Sequence, residues 1–487
     1  MSKAAVDHIA ICGSGLAFEA CLAALARNLD PGIRITALEL EQEQSFDPLY
    51  GTVTPPTAFD DFTLWGIDEP ELLLRTGSSF CYGTFYSDWA GRLGWTQAYH
   101  LPLPVWDGIE FHFYLAHLQA SLEPHLVSAV CGRAGRFAHP PADPNIPLSR
   151  AEYGYQIDPL DLADLLARKD LPGNVTRIRG EIASIEVDEG RIRSIVLSDG
   201  NVVDAQFFID ATGPSGRLMD ALGNGFEAER TVGFAQSAQE CDQLGSALRL
   251  VQEKPYGWQS QTHLQGRILN FALFHPDQAG AVNPALGSHS GALSGQLDLG
   301  ARAEGWRGNC ASIGHANCVI EPLTPAPMIL LSRDIERLLQ LVPITTDMEV
   351  EAREFNRLLG DDIEHCGIFG RAFYEVENAP ETDFWRQARA RRLPSKLERK
   401  LEQFGSRAIL VSYDLEPFNK EDWTILHYGM KRKPERSHPF LDGIDMPAAQ
   451  RRLDEMSQAI RKLSLKVPPH ERYLTNFMRY LEKQHAR

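Results

Sequence analysis

The stretch SSFCYGTFYSDW, Ser78 to Trp89, sets a single thiol, Cys81, among aromatic side chains with no basic residue beside it. A cysteine acts as a nucleophile or redox centre through its thiolate, which needs a nearby cation or base. None is near in sequence, so packing is the expected role unless the fold brings a histidine or arginine to the sulfur. A second set of residues points to phosphate chemistry. The apolar run HIAIC (8–12) leads into the turn GSGLAF (13–18), then into helical spacing over 19–28, then into a second apolar run over 33–38 that ends at Glu39. In such a βαβ unit Gly13 and Gly15 let the backbone approach a pyrophosphate, the helix amino terminus stabilises its charge, and Glu39 accepts ribose hydroxyls. Phe18 stands where a third glycine is usual, but Ala17 beside it is small enough for close helix packing.

Two further turns extend this pattern. VVDAQFFIDATG (202–213) reads as a strand running into Asp210 and Gly213, and ASIGHANCVIEPL (311–323) carries Gly314 into an expected helix whose amides would face a flavin or its phosphates. Three spaced glycine turns predict FAD in preference to NAD. No second βαβ glycine fingerprint follows, so the chain is expected to lack an NAD(P)H domain and to take electrons from a separate reductase.

These residues need a large scaffold, and the chain is long enough to provide one: 487 residues, 43% hydrophobic, organised as interlocked subdomains. A formal charge of −17 argues against nucleic acid or an anionic membrane as partner. The 8 cysteines form no CxxC pair, no apolar run reaches 18 residues, and no metal site is expected, so a cytoplasmic location with reduced thiols is predicted. Residues 1–345 are read as the α/β module, with substrate segments interwoven at about 51–150 and 230–300, and residues 346–487 as mainly helical, because helical periodicity takes over from Met348. AHPPADPNIP (138–147) reads as a loop. The basic segment RQARARRLPSKLERK (386–400) reads as a solvated helix face, since Glu398 and Glu402 fall at helical spacing.

The order of motifs is informative beyond any one of them. GSGLAF, LYGTVTPP (49–56), GYQIDPLDLADLL (154–166), FFIDATG, PYGWQSQTHLQGRI, GHANCVIEPL, DFWRQARARRLP and DWTILHYGMKRKP (422–434) together resemble the flavin-dependent tryptophan halogenases over nearly the whole chain. The resemblance implies a flavin monooxygenase-type α/β fold and FAD held at Gly13, Gly15, Ala17, Glu39, Thr52, Asp210, Gly213, Gly314 and Pro322. It further implies that FAD arrives reduced from a separate NAD(P)H-dependent flavin reductase, reacts with oxygen and oxidises halide. Hypohalous acid then passes to a lysine near an indole-like substrate, and a homodimer is compatible with the family.

The departures bear on the reaction. Counted back from Trp89, the family lysine falls on Cys81, whose thiol would be oxidised by hypohalous acid rather than carry the halogen. In EPLTPAPM (321–328) the family glutamate becomes Thr324, and the Thr-Gly pair near the halide becomes Ala326 and Pro327; proline has no amide hydrogen for an anion. Glu321 lies three residues too early to replace the glutamate. Of the family's WxWxIP only Trp258 remains, and Thr52 replaces the glutamate of GEATIP. Three readings follow. The first is FAD-dependent oxygenation of an aromatic substrate, the second a non-catalytic flavin-binding homologue or partner protein, and the third a true halogenase using another lysine, although Lys3, Lys169 and Lys254 lie outside the matching segments. Phe111, Phe113 and Trp258 are the candidate substrate surfaces; Trp89, Trp95, Trp106 and Tyr114 are expected mostly in the core, with His100, His112 and His117 as candidate polar handles.

Overall fold

The computed structural model describes residues 4–41, 44–89, 93–286, 293–376 and 378–485. Strand β1 (His8–Gly13) is buried along its whole length, as a strand covered on both faces must be. It pairs in parallel with β2 (Arg34–Leu40) on one side and with Phe207–Ala211 on the other. Val175–Gly180 and Cys310–Ser312 extend this sheet in parallel, and Trp306–Arg307 adds an antiparallel edge. The register sets Gly13 beside both Glu39 and Ala211, and Asp210 beside Ser312. The carboxyl ends of these strands therefore bring the glycine turns together where the strand order reverses, the place where open α/β sheets bind ligands.

Helix α1 (Gly15–Asn28) leaves that edge and is buried from Leu16 to Leu25. The entry turn depends on glycine: Gly15 has φ +74°, and a Cβ on Gly13 would lie 2.1 Å from the Ala211 carbonyl oxygen. Glu19 on the buried face is matched by Arg177 at 2.7 Å, which offsets the cost of burying a carboxylate.

A second, eight-stranded sheet runs in the order Cys318–Val319, Leu293–Arg302, Phe226–Glu240, Arg267–Phe274, Gly257–Leu264, Arg249–Lys254, Gly83–Trp89, Leu93–Ala98. Only the pairing of Arg249–Lys254 with Gly83–Trp89 is parallel, and it sets Arg249 opposite Thr84. Among the described residues every regular element after Glu349 is helical. These helices cover one face of the second sheet through an aromatic core that includes Trp89, Trp258, Phe373, Trp385 and Trp423. No helix is long and apolar enough to cross a membrane among the described residues.

The two sheets and the helical layer meet at the helix Ala326–Gln340. Its Asp334 accepts from the Gly314 amide at 2.9 Å and from Asn317 Nδ2 at 3.0 Å, and it pairs with Arg337 at 3.3 Å. Arg337 and Arg333 in turn hold Asp362 on Glu349–Ala372. Burial pushes the Asp334 carboxyl up to about 6 against the pull of Arg337. Asp334→Leu would leave these buried donors without an acceptor, and urea unfolding should report a loss of about 3–5 kcal/mol; a loss below about 1 kcal/mol would mean that the carboxylate does not hold the turn.

Candidate functional site

The fold brings the predicted cofactor residues to one edge, but their polar groups are already engaged. At the amino terminus of α1, Ser14 makes no capping bond, and the Leu16 amide donates to both carboxylate oxygens of Asp47 at 3.1 Å. A Cβ on Gly15 would lie 2.7 Å from those same oxygens. The Gly314 amide is held by Asp334, and the His315 amide donates to the Tyr50 hydroxyl at 3.1 Å. The Tyr50 and His315 rings stack at 3.8 Å with 8° between planes. Glu39 pairs with Arg177 at 3.3 Å and Arg179 at 3.1 Å. Asp210 accepts from Thr212, Leu218 and Met219 and so builds the turn at Gly213 rather than facing a ligand. Ala17 gives Gly314 its close approach, Thr52 bonds Thr262 through their hydroxyls at 2.6 Å, and the Pro322 carbonyl accepts from Arg249. In this geometry the residues do not fit a dinucleotide: the Leu16, Gly314 and His315 amides have internal acceptors, and among the described side chains at this edge Ser14 Oγ and His315 Nε2 are buried without a partner.

The residues that the sequence resemblance sets at the halogenation positions also come near one another, with different chemistry. Cys81 is fully buried between Val53 and Tyr99, and its thiol donates to the Gly83 carbonyl at 3.3 Å. Burial pushes this thiol up to about 11, only partly opposed by the Gly83 contact and the nearby Arg249. The Thr324 hydroxyl accepts from the Ala326 amide at 3.3 Å, and Pro327 follows in the first turn of the same helix, so that turn has few amides left for an anion. A residue that sequence reasoning missed joins the two segments. Arg249, almost completely buried, donates to the Pro322 carbonyl at 2.8 Å and to that of Leu323, while the Tyr86 hydroxyl reaches Leu323 at 2.8 Å. The signal available was an arginine sharing a strand face with Val251.

Beside this knot lies a cavity of about 750 Å³ between the second sheet and the helical layer. Leu299, Val319, Leu323, Thr324, Ile368 and Tyr374 line its inner wall; Arg230, Arg371, Arg391 and Arg392 lie around the rest, together with the carboxylates Glu229, Glu321 and Glu364. Phe111 and Phe113 do not line it: Phe111 packs edge-on against Trp106 at 5.0 Å, and Phe113 lies 4.4 Å from the His438 ring. Trp258 is buried behind the wall, where its indole donates to Glu321 at 3.0 Å; Glu321 also accepts from Tyr374 at 2.5 Å and pairs with Arg230. His100, His112 and His117 are bound to Leu101, Ala408 and Ser437. The segment 386–400, expected as one solvated face, instead breaks between the helices Asp383–Arg389 and Ser395–Arg407, because Pro394 ends the first pattern. Its middle lines the cavity, and Lys400 is buried against Glu416 at 2.8 Å. Lys169 pairs with Glu71 across the first core, and Lys254 sits at a hairpin, so neither lines the cavity; Lys3 lies outside the described residues.

Two outcomes are expected from this burial. Titration of the native protein with a disulfide reagent should modify Cys241 first, the one half-buried thiol, with Cys81 reacting only on unfolding; fast labelling of Cys81 would contradict its packing role. Burial pushes the Asp47 carboxyl up to about 7, against the lowering effect of the Leu16 amide. A folded-state value above the unfolded one gives stability that is complete below about pH 4 and lost as pH rises through 7. Unfolding of wild type and Asp47→Asn should therefore converge or cross as pH rises from about 4 to 7.5, and a pH-independent difference would refute the shift.

Comparison with known proteins agrees with the sequence resemblance. The tryptophan halogenase family model matches residues 8–446. Tryptophan 7-halogenase RebH of Lentzea aerocolonigenes is 23% identical, with 99% of each chain covered, and tryptophan 6-halogenase ThaL of Streptomyces albogriseolus is 22% identical over 82% of each. Among solved structures, BrvH, a flavin-dependent halogenase from Brevundimonas sp. BAL3, superposes with a TM-score of 0.87 at 25% identity, covering 97% of this chain and 99% of its own. With its mainly parallel first sheet, its eight-stranded second sheet and helical layer, and this match over most of its length, the chain belongs to the tryptophan halogenase family.

Proposed function

We propose that this chain is a ligand-binding member of the halogenase family that does not halogenate, and that its cavity takes an aromatic molecule bearing an acidic group. One observation carries the reading. Where halogenation would use an amine, a carboxylate and anion-binding amides, the chain has a buried neutral thiol, a threonine engaged with Ala326, and Pro327; among the described residues no lysine lines the cavity. The cavity wall is apolar on one side, as an aromatic body requires. On the other side four arginines outnumber the carboxylates Glu229, Glu321 and Glu364, and although Arg230 pairs with Glu321 and Arg371 with Glu375, Arg230 Nη1 and Arg371 Nε have no acceptor of their own, which favours an acidic group.

A second reading is oxygenation of the same ligand with FAD reduced by a separate reductase. It is favoured by the retained Gly13, Gly15 and Gly314 turns, by the unpartnered Ser14 Oγ and His315 Nε2, and by the flavin dependence of the relatives. Incubation with a flavin reductase, NADPH, FAD, bromide and indole-3-acetate, followed by mass spectrometry, separates the readings. Bound but unaltered ligand is expected. A bromide-dependent mass addition would mean halogenation by another amine, and addition of one oxygen atom would favour the second reading. Arg371→Gln should weaken indole-3-acetate binding about tenfold or more by calorimetry, from loss of a charge-assisted hydrogen bond; unchanged affinity would place the acidic group elsewhere.

A further inference from the structure

We infer that Asp47, Tyr50 and His315 close the dinucleotide cradle from within, so that this chain holds its own carboxylate where a cofactor diphosphate would be held. One short element supplies both plugs. Asp47 and Tyr50 are the first and last residues of the single 3-10 turn Asp47–Tyr50, and both are buried. The first end caps α1: the carboxylate takes the Leu16 amide and fills the space over Gly15 that the missing side chain leaves open. The other end caps the second glycine turn: the Tyr50 hydroxyl takes the His315 amide and stands 2.3 Å from where a Gly314 Cβ would be. Pro48 fixes the backbone between them, so the two plugs move together or not at all.

The space left over Gly15 and Gly314 is thus filled with protein atoms, and the oriented amides face internal acceptors. An incoming diphosphate would meet a buried carboxylate, with Asp158 and Asp164 adding to the negative field there. It would also have to separate the Tyr50–His315 stack. Among the described side chains at this edge, one serine hydroxyl and one imidazole nitrogen are left without a partner. An acceptor is still needed at the buried end of α1, and the Asp47 carboxyl supplies it from within the chain.

Calorimetric titration of the purified full chain with oxidised and with dithionite-reduced FAD, and with ADP, tests this. The wild type should show no saturable binding of any of them. Asp47→Gly combined with Tyr50→Val should expose the Leu16 and His315 amides, retain yellow flavin through desalting, and gain an ADP-dependent rise in Tm. Micromolar FAD binding by the wild type would overturn the inference, and this arm stands even if the double variant does not fold. A folded double variant that still binds neither FAD nor ADP would equally overturn it, because the plug would not be what closes the cradle. The proposed cavity ligand is unaffected by either result, since indole-3-acetate binding is measured separately.

Discussion

A helix that begins at the centre of a protein presents amide groups with no partner in their own turn, and something must accept from them. In α1 this constraint is met by Asp47, reaching across from the loop after β2 to Leu16. The rest of the cradle follows from that contact. The turn that carries Asp47 also carries Tyr50, Tyr50 holds His315, and the neighbouring Gly314 amide is tied through Asp334 to the arginine network under the helical layer. A chain of internal acceptors takes the place of a bound anion.

The same substitution of internal contacts for ligand contacts recurs at the reaction centre. Cys81, Thr324 and Pro327 each replace a group that acts on something outside the protein with one that acts within it: a thiol on Gly83, a hydroxyl on Ala326, a ring that donates nothing. The positive charge lost with the lysine has a counterpart in Arg249, but its guanidinium is turned onto the Pro322 and Leu323 carbonyls and fastens the segment. The cavity beyond remains, lined by apolar side chains on one side and by arginines and glutamates on the other. A scaffold can keep its ligand pocket while losing its chemistry, because the pocket is made by packing and the chemistry by a few atoms.

The strand, turn and helix order at the amino terminus was readable because glycine spacing and apolar periodicity are local signals; β1 and β2 lie within two residues of the expected runs. The departures at Cys81, Thr324 and Pro327 were readable for the same reason, as single residues inside recognisable motifs. The plug was not. Asp47 lies just before the LYGTVTPP motif, and its partner is 31 residues earlier, so no local pattern connects them. Phe111 and Phe113 were candidate surfaces for a planar ligand, but tertiary packing against Trp106 and His438 absorbs them. Arg391 and Arg392 are exposed as expected, but Pro394 breaks the helix between them and Lys400, so they lie at the cavity rim between two helices rather than on one helix face.

The most direct test of the closed cradle is a crystal structure grown at neutral pH with excess FAD present. The account predicts that density at the amino terminus of α1 will be the Asp47 carboxylate within hydrogen-bond distance of Leu16, with Tyr50 stacked on His315. Diphosphate density at that position, with Asp47 and Tyr50 swung aside, would contradict it.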